Sequence, residues 1–205
     1  MFLANAMFIV IEQTDTIMLG IMRSEAEVGI YSIAFKLAMM TMLIFTAVNS
    51  MAAPKFSQFY HSGKMEELKQ VAQKSTKLIF WINLPIFIIY VFLGQFILNL
   101  YGSEFTMGYY PLIFLAMGQL ILAMVGSVGH FLNMTGHQNV FKNIIIIGGV
   151  LNIVLNIILI PNYGINGAAI ASMISNAAWS IMAAIYIRHK FGFSISYIPF
   201  RGVKS

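Results

Sequence analysis

Six stretches of this chain, about 1–21, 28–53, 78–100, 110–132, 143–160 and 166–187, carry almost no charge and are long enough to cross a lipid bilayer. A membrane helix needs roughly 17–25 predominantly apolar residues. In hydrocarbon every backbone N–H and C=O must be paired inside the protein, so apolar runs of this length span as helices. Composition agrees: 59% of the residues are hydrophobic and 9% charged, against about 45–50% and 25% in a soluble domain. The expected fold class is therefore all-α and integral to the membrane, a bundle of six transmembrane helices. The sequence contains no cysteine, which excludes disulfides and thiolate metal sites.

The basic residues are distributed unevenly. Of the twelve, Lys55, Lys64, Lys69, Lys74 and Lys77 follow the second run, Lys142 precedes the fifth, and Arg188, Lys190, Arg201 and Lys204 follow the sixth. In a six-span chain all of these share one side, and the other side has only Arg23. The positive-inside rule makes the lysine-rich side cytoplasmic, with both termini of this segment inside a cytoplasmic membrane. The net charge of +5 thus reads as topology and contact with membrane lipid, with no nucleic acid implied. Between the second and third runs, 54–77 reads as the one long connection. Within it, Met65, Leu68 and Val71/Ala72 recur at helical spacing, so about 62–76 is either a cytoplasmic amphipathic helix on the interface or an extension of the third span.

Polar groups inside the apolar runs are the candidates for function, because charge near a bilayer centre costs about 2.5–3.5 kcal/mol unless it is paired or faces a wet cavity. Glu12 and Asp15 lie in the first run and Lys36 in the second. With a turn at 22–27, Glu12 and Lys36 each sit roughly 12 Å from the turn side of an antiparallel hairpin. That matched depth predicts an ion pair joining the two helices or a pair lining a cavity, with snorkelling to the lipid interface as the third reading, since Asp15 is only ~8 Å from the outer surface. Asn152 and Asn156, four apart in the fifth run, share one face and are expected to meet a neighbouring helix or a cavity. Asn83 and Pro85 in the third run mark a place where a helix hydrogen bond is lost. His130, at the end of the fourth run, reads as interfacial. The stretch 161–167 (Pro-Asn-Tyr-Gly-Ile-Asn-Gly) predicts a tight turn, and the pairs Gly167/Ala171 and Ala168/Ser172 predict close helix packing of a purely architectural kind.

No phosphate-binding glycine loop, metal-binding histidine pair or nucleophile elbow is present. The four histidines show no ligand spacing, so no metal, no cofactor and no enzymatic activity is expected.

The pattern Asp15-Thr16-Ile17-Met18-Leu19-Gly20 followed by Glu27-Val28-Gly29-Ile30-Tyr31-Ser32-Ile33-Ala34-Phe35-Lys36-Leu37 resembles the hairpin that opens the C-terminal half of Wzx-type polysaccharide flippases, members of the MATE-like superfamily. The run 151–161, through Asn162-Tyr163-Gly164-Ile165-Asn166-Gly167 to Ala171, is similar to that family's late hairpin. The resemblance implies a lobe of six helices that requires an N-terminal six-helix lobe to close a central cavity, open alternately to each face. It implies as substrate an oligosaccharide on an isoprenoid diphosphate. In that setting Lys36 would meet the diphosphate or sugar acids, and Glu12 and Asp15 would take up a coupling proton or cation. Two further readings stay open: a cation-coupled exporter of small molecules, against which an inward Lys36 would argue, and a non-transporting scaffold for glycan assembly.

Overall fold

The computed structural model describes residues 13–197. The first apolar run ends in a helix over 13–22, here α1. It turns at Arg23 and Ser24 into α2 (Glu25–Met39), which continues after a short irregularity into α3 (Met42–His61). The turn is tighter than the sequence reading placed it. Ser24 caps α2 by accepting from the backbone N–H of Glu27 at 3.4 Å, and acids occupy the first helical turn, where the helix dipole favours them.

The connection expected over 54–77 is almost entirely helix. α3 runs through Pro54 to His61, and α4 (Met65–Asn99) starts after three residues of turn around Gly63. The periodic apolar residues explain this. Leu68 and Ala72 are buried against Phe56 and Phe131, so the stretch beginning at Met65 lengthens the third span and does not lie flat on an interface. α4 also passes through Pro85 as one helix, with Asn83 donating back to the Ile79 carbonyl at 2.8 Å.

A short 3₁₀ turn (Ser103–Gly108) leads to α5 (Tyr109–Val125), the most buried of the apolar helices. It packs against α2, α4 and α7. The chain breaks at Gly126-Ser127 before α6 (Val128–Met134), so the fourth span is two helical pieces.

The last helix, α7 (Gln138–Phe191), is two spans folded back on each other. Gly164, at φ 54° and ψ −133°, takes a conformation costly for any residue with a Cβ. Asn152 meets Ser172, Gly148 lies against Trp179, and Gly167 approaches the Leu159 carbonyl so closely that a Cβ would collide. Pairings that converge toward residue 164 define an antiparallel hairpin. The fold-back frees carbonyls near Pro161, and Arg23 meets them: its Nη2 donates to Ile160 O and Pro161 O, both at 2.7 Å. Among the described residues the chain therefore makes six passes, all helical.

Two apolar cores hold the bundle. One joins Leu19, Tyr31, Leu37, Leu112 and Ile160 at the Arg23 end. The other joins Phe56, Leu68, Phe131 and Ile187 at the opposite end. Outward, α4 and α7 expose Ile88, Phe92, Phe96, Val150, Val154 and Ile157. Such a contiguous apolar surface is an aggregation liability in water and ordinary in lipid.

Candidate functional site

Besides these cores the bundle holds a small apolar cluster of Val48, Ile79 and Ala123 and a set of buried polar groups. Asp15, on α1, is 1% exposed. Its Oδ2 accepts from the Tyr31 hydroxyl at 2.7 Å and from Ser172 Oγ. Its Oδ1 accepts from Asn156 Nδ2 at 2.6 Å and Asn152 Nδ2 at 3.1 Å. A carboxylate has about four lone-pair sites, and here each is matched by a donor. No cation takes part: among the described residues the ion pair is Lys69–Glu66, on the exposed start of α4.

The sequence explains how the donors converge. Asn152 and Asn156 stand one turn apart on the first arm of α7, and Asn156 also donates to Asn152 Oδ1 at 3.1 Å. The hairpin at Gly164 brings Ser172 of the second arm opposite them, and the turn at Arg23-Ser24 brings Tyr31 beside Asp15. One carboxylate thus ties α1, α2 and both arms of α7 together. Bonds to a charged acceptor contribute about 1.5–3 kcal/mol each, comparable to the insertion cost of the charge itself.

Below this knot lies a cavity of about 300 Å³, enclosed by α2, α3, α5, α6 and both arms of α7. Asn152 and Ser172, which hold Asp15, also line it, so the knot is its floor. Asn49, Gln119 and Ser127 line it as well and are 2%, 6% and 3% exposed. Both side-chain polar atoms of Asn49, Oε1 of Gln119 and Oγ of Ser127 have no hydrogen-bond partner among the described residues. Phe45, Phe141 and Trp179 supply aromatic wall. Trp179 is fixed by Asn176, to which its Nε1 donates at 3.0 Å, and by the edge of Phe141.

Of the residues singled out from sequence, the structure brings Asp15, Asn152 and Asn156 into one cluster. It places Lys36 elsewhere. Lys36 is on the exposed side of α2, opposite the buried face formed by Ile30, Tyr31, Ala34 and Leu37, and does not line the cavity. It has no hydrogen-bond or ion-pair partner among the described residues. Among the described residues Lys36 thus stands apart from the Asp15 cluster, on a face that this lobe leaves uncovered. Glu12 lies outside the described residues. Ser172, read as architecture, is a ligand of Asp15, and His130, read as interfacial, lines the cavity. The reading missed Tyr31, Asn49, Gln119 and Ser127. For Asn49 and Gln119 the cue was present, a lone carboxamide in an apolar run, the same cue that flagged Asn152.

Comparison with known proteins adds the following. The MatE family model matches residues 1–158. Over 174 residues the chain is 31% identical to the "probable low-salt glycan biosynthesis flippase Agl15" of Haloferax volcanii, covering 84% of this chain and 37% of that protein. It is 30% identical over 172 residues to the "probable flippase AglR" of the same organism, covering 82% and 36%. With the capsular polysaccharide biosynthesis protein CapF of Staphylococcus aureus it shares 27% over 148 residues, covering 72% and 37%. The chain spans little more than a third of the length of these curated relatives.

Proposed function

This chain belongs to the MatE family, and we propose that it forms one six-helix lobe of a flippase that moves a lipid-linked glycan across the cytoplasmic membrane by alternating access. An N-terminal lobe of similar size completes the pathway, and the lysine-rich ends of α3, α4 and α7 face the cytoplasm. Relatives named as glycan flippases and a capsular polysaccharide protein support the class of cargo. The protein works as a carrier and not as an enzyme.

The observation that carries this reading is the Asp15 knot at the floor of the polar cavity. Buried intramembrane charge marks pathways and relays by default. Here the carboxylate couples three elements that would have to move against each other for the cavity to change access. Neutralising Asp15 by protonation exchanges charge-assisted hydrogen bonds from Tyr31, Ser172, Asn152 and Asn156 for weaker neutral ones, and so loosens α1 from the α7 hairpin. Asp15 is thus the coupling residue in this reading, with Asn152 and Asn156 as its ligands. The alternative is a cation-coupled exporter of small molecules. What favours glycan instead is the wall chemistry of neutral carboxamides and hydroxyls. A scaffold would have no use for unpaired polar groups facing a cavity.

Surface glycan export in cells carrying the complete protein tests the proposal. Asp15→Asn keeps the side chain's size and removes its charge. Export should fall at least about tenfold, equivalent to ~1.4 kcal/mol of barrier, with the protein still inserted at normal abundance. Normal export by that variant would overturn the coupling role.

A further inference from the structure

We infer that the cavity below Asp15 is a subsite for one uncharged sugar ring, and that the diphosphate of the cargo binds elsewhere. The inference rests on the glycan reading above and adds where the sugar goes and which part of the cargo is excluded.

The first argument is the unpaired polar atoms. Asn49, Gln119 and Ser127 are wall residues of one cavity, and their unpaired polar atoms (both of Asn49, Oε1 of Gln119 and Oγ of Ser127) are buried within that wall. Leaving such groups unpaired is unfavourable. A purely apolar occupant would leave them so, whereas a ligand whose groups both donate and accept pairs with them once their side chains turn toward the cavity. Sugar hydroxyls do both. The second argument is shape. Trp179 is fixed in place by Asn176 and Phe141 and offers an aromatic surface to the apolar C–H face of a pyranose. The volume of about 300 Å³ sits at the low end of small-molecule sites, enough for a small ring system and not for a whole oligosaccharide.

The third argument is charge. Among the described residues no Lys, Arg, Asp or Glu lines the cavity, where His130 is the one titratable group, and its floor is a buried carboxylate held by Asn152 and Ser172. A diphosphate here would face that negative charge in a medium of low dielectric with no cation to offset it. A metal ion or organic cation fares no better, because the lone pairs of Asp15 are already occupied by donors. The occupant is therefore neutral.

The absence of cysteine from the sequence allows a direct test. The complete protein, with any cysteine outside this chain replaced by serine, carries Met42→Cys or, separately, Leu122→Cys, both in the cavity wall, and is placed in liposomes prepared without glycoside detergents and labelled with N-ethylmaleimide. Ser62→Cys, in the exposed turn before α4, serves as the control. The probes are the methyl glycosides of glucose, galactose, mannose and N-acetylglucosamine, and inorganic pyrophosphate. At twice its Kd a bound glycoside slows labelling about threefold. We expect this at Met42→Cys or Leu122→Cys for at least one glycoside, none at Ser62→Cys, and no effect of pyrophosphate at any of the three. Failure of all four glycosides, or equal protection by pyrophosphate, overturns the subsite. The two readings fail separately: if Asp15→Asn abolishes export while no glycoside protects, transport stands and the sugar subsite falls. If Asp15→Asn exports normally, the coupling role falls whatever the glycosides do.

Discussion

The Asp15 knot and the cavity beneath it are built from the same materials, carboxamides and hydroxyls on apolar helices, yet they are in opposite states. In the knot each carboxylate oxygen accepts two hydrogen bonds, from donors on α2 and both arms of α7, and Asn156 Oδ1 is the one knot atom without a partner among the described residues. In the cavity, Asn49 has no partner for either polar atom, and Gln119 uses only its amide nitrogen, on Met39 Sδ at 3.4 Å. Polar groups satisfied by one another hold helices in register. Polar groups left facing a cavity are matched to something that comes and goes. The two regions share Asn152 and Ser172, so a change in one is felt in the other.

That contrast makes opposite predictions for similar substitutions. The largest effect should come from Asp15→Leu, which strands four buried donors at about 1–3 kcal/mol for each left unsatisfied. We expect folded protein in micelles to be largely lost, read by size-exclusion chromatography and thermal melting. Ser172→Ala should come next. Interhelical hydrogen bonds in membranes average only about 0.6 kcal/mol, but this one ends on a carboxylate, so ~1–2 kcal/mol is expected as a lower melting temperature. On the cavity side the sign reverses. Asn49→Leu removes two unpaired polar atoms at similar volume, so stability should hold or rise by about 1 kcal/mol while glycan export falls. A destabilised Asn49→Leu would show that Asn49 belongs with the structural knot. The smallest effect is expected for Lys36→Ala, within about 0.5 kcal/mol in the same melt, as for other exposed positions.

Much of this was legible in the sequence. Apolar runs gave six helical passes, and the Pro-Asn-Tyr-Gly stretch gave the hairpin that folds α7. Asp15, Asn152 and Asn156 stood out because polar side chains are conspicuous against an apolar background. What escaped was rotation about helix axes. Lys36 and Tyr31 are five residues apart on α2, and depth alone ranked the lysine as the partner of the acids. The structure turns Tyr31 onto Asp15 and Lys36 to the opposite side of α2, a face this lobe leaves uncovered. α2 is apolar nearly all round, so no amphipathic stripe told its inner face from its outer one. Ser172 escaped for a related reason: a serine at small-residue spacing serves close packing and hydrogen bonding equally well. The length of α4 was hidden because Leu68 and Ala72 suit an interface helix and a buried one alike.

The contrast between a closed knot and an open cavity can be measured directly by comparing the aqueous maleimide reactivity of Asn156→Cys and Asn49→Cys in the liposome-reconstituted chain. Asn156 is 0% exposed and holds Asp15 outside the cavity wall, whereas Asn49 lines it. The account requires Asn49→Cys to label at least about tenfold faster, the ratio given by ~1.4 kcal/mol of extra opening cost at Asn156. Equal rates, or faster labelling at Asn156→Cys, would contradict it.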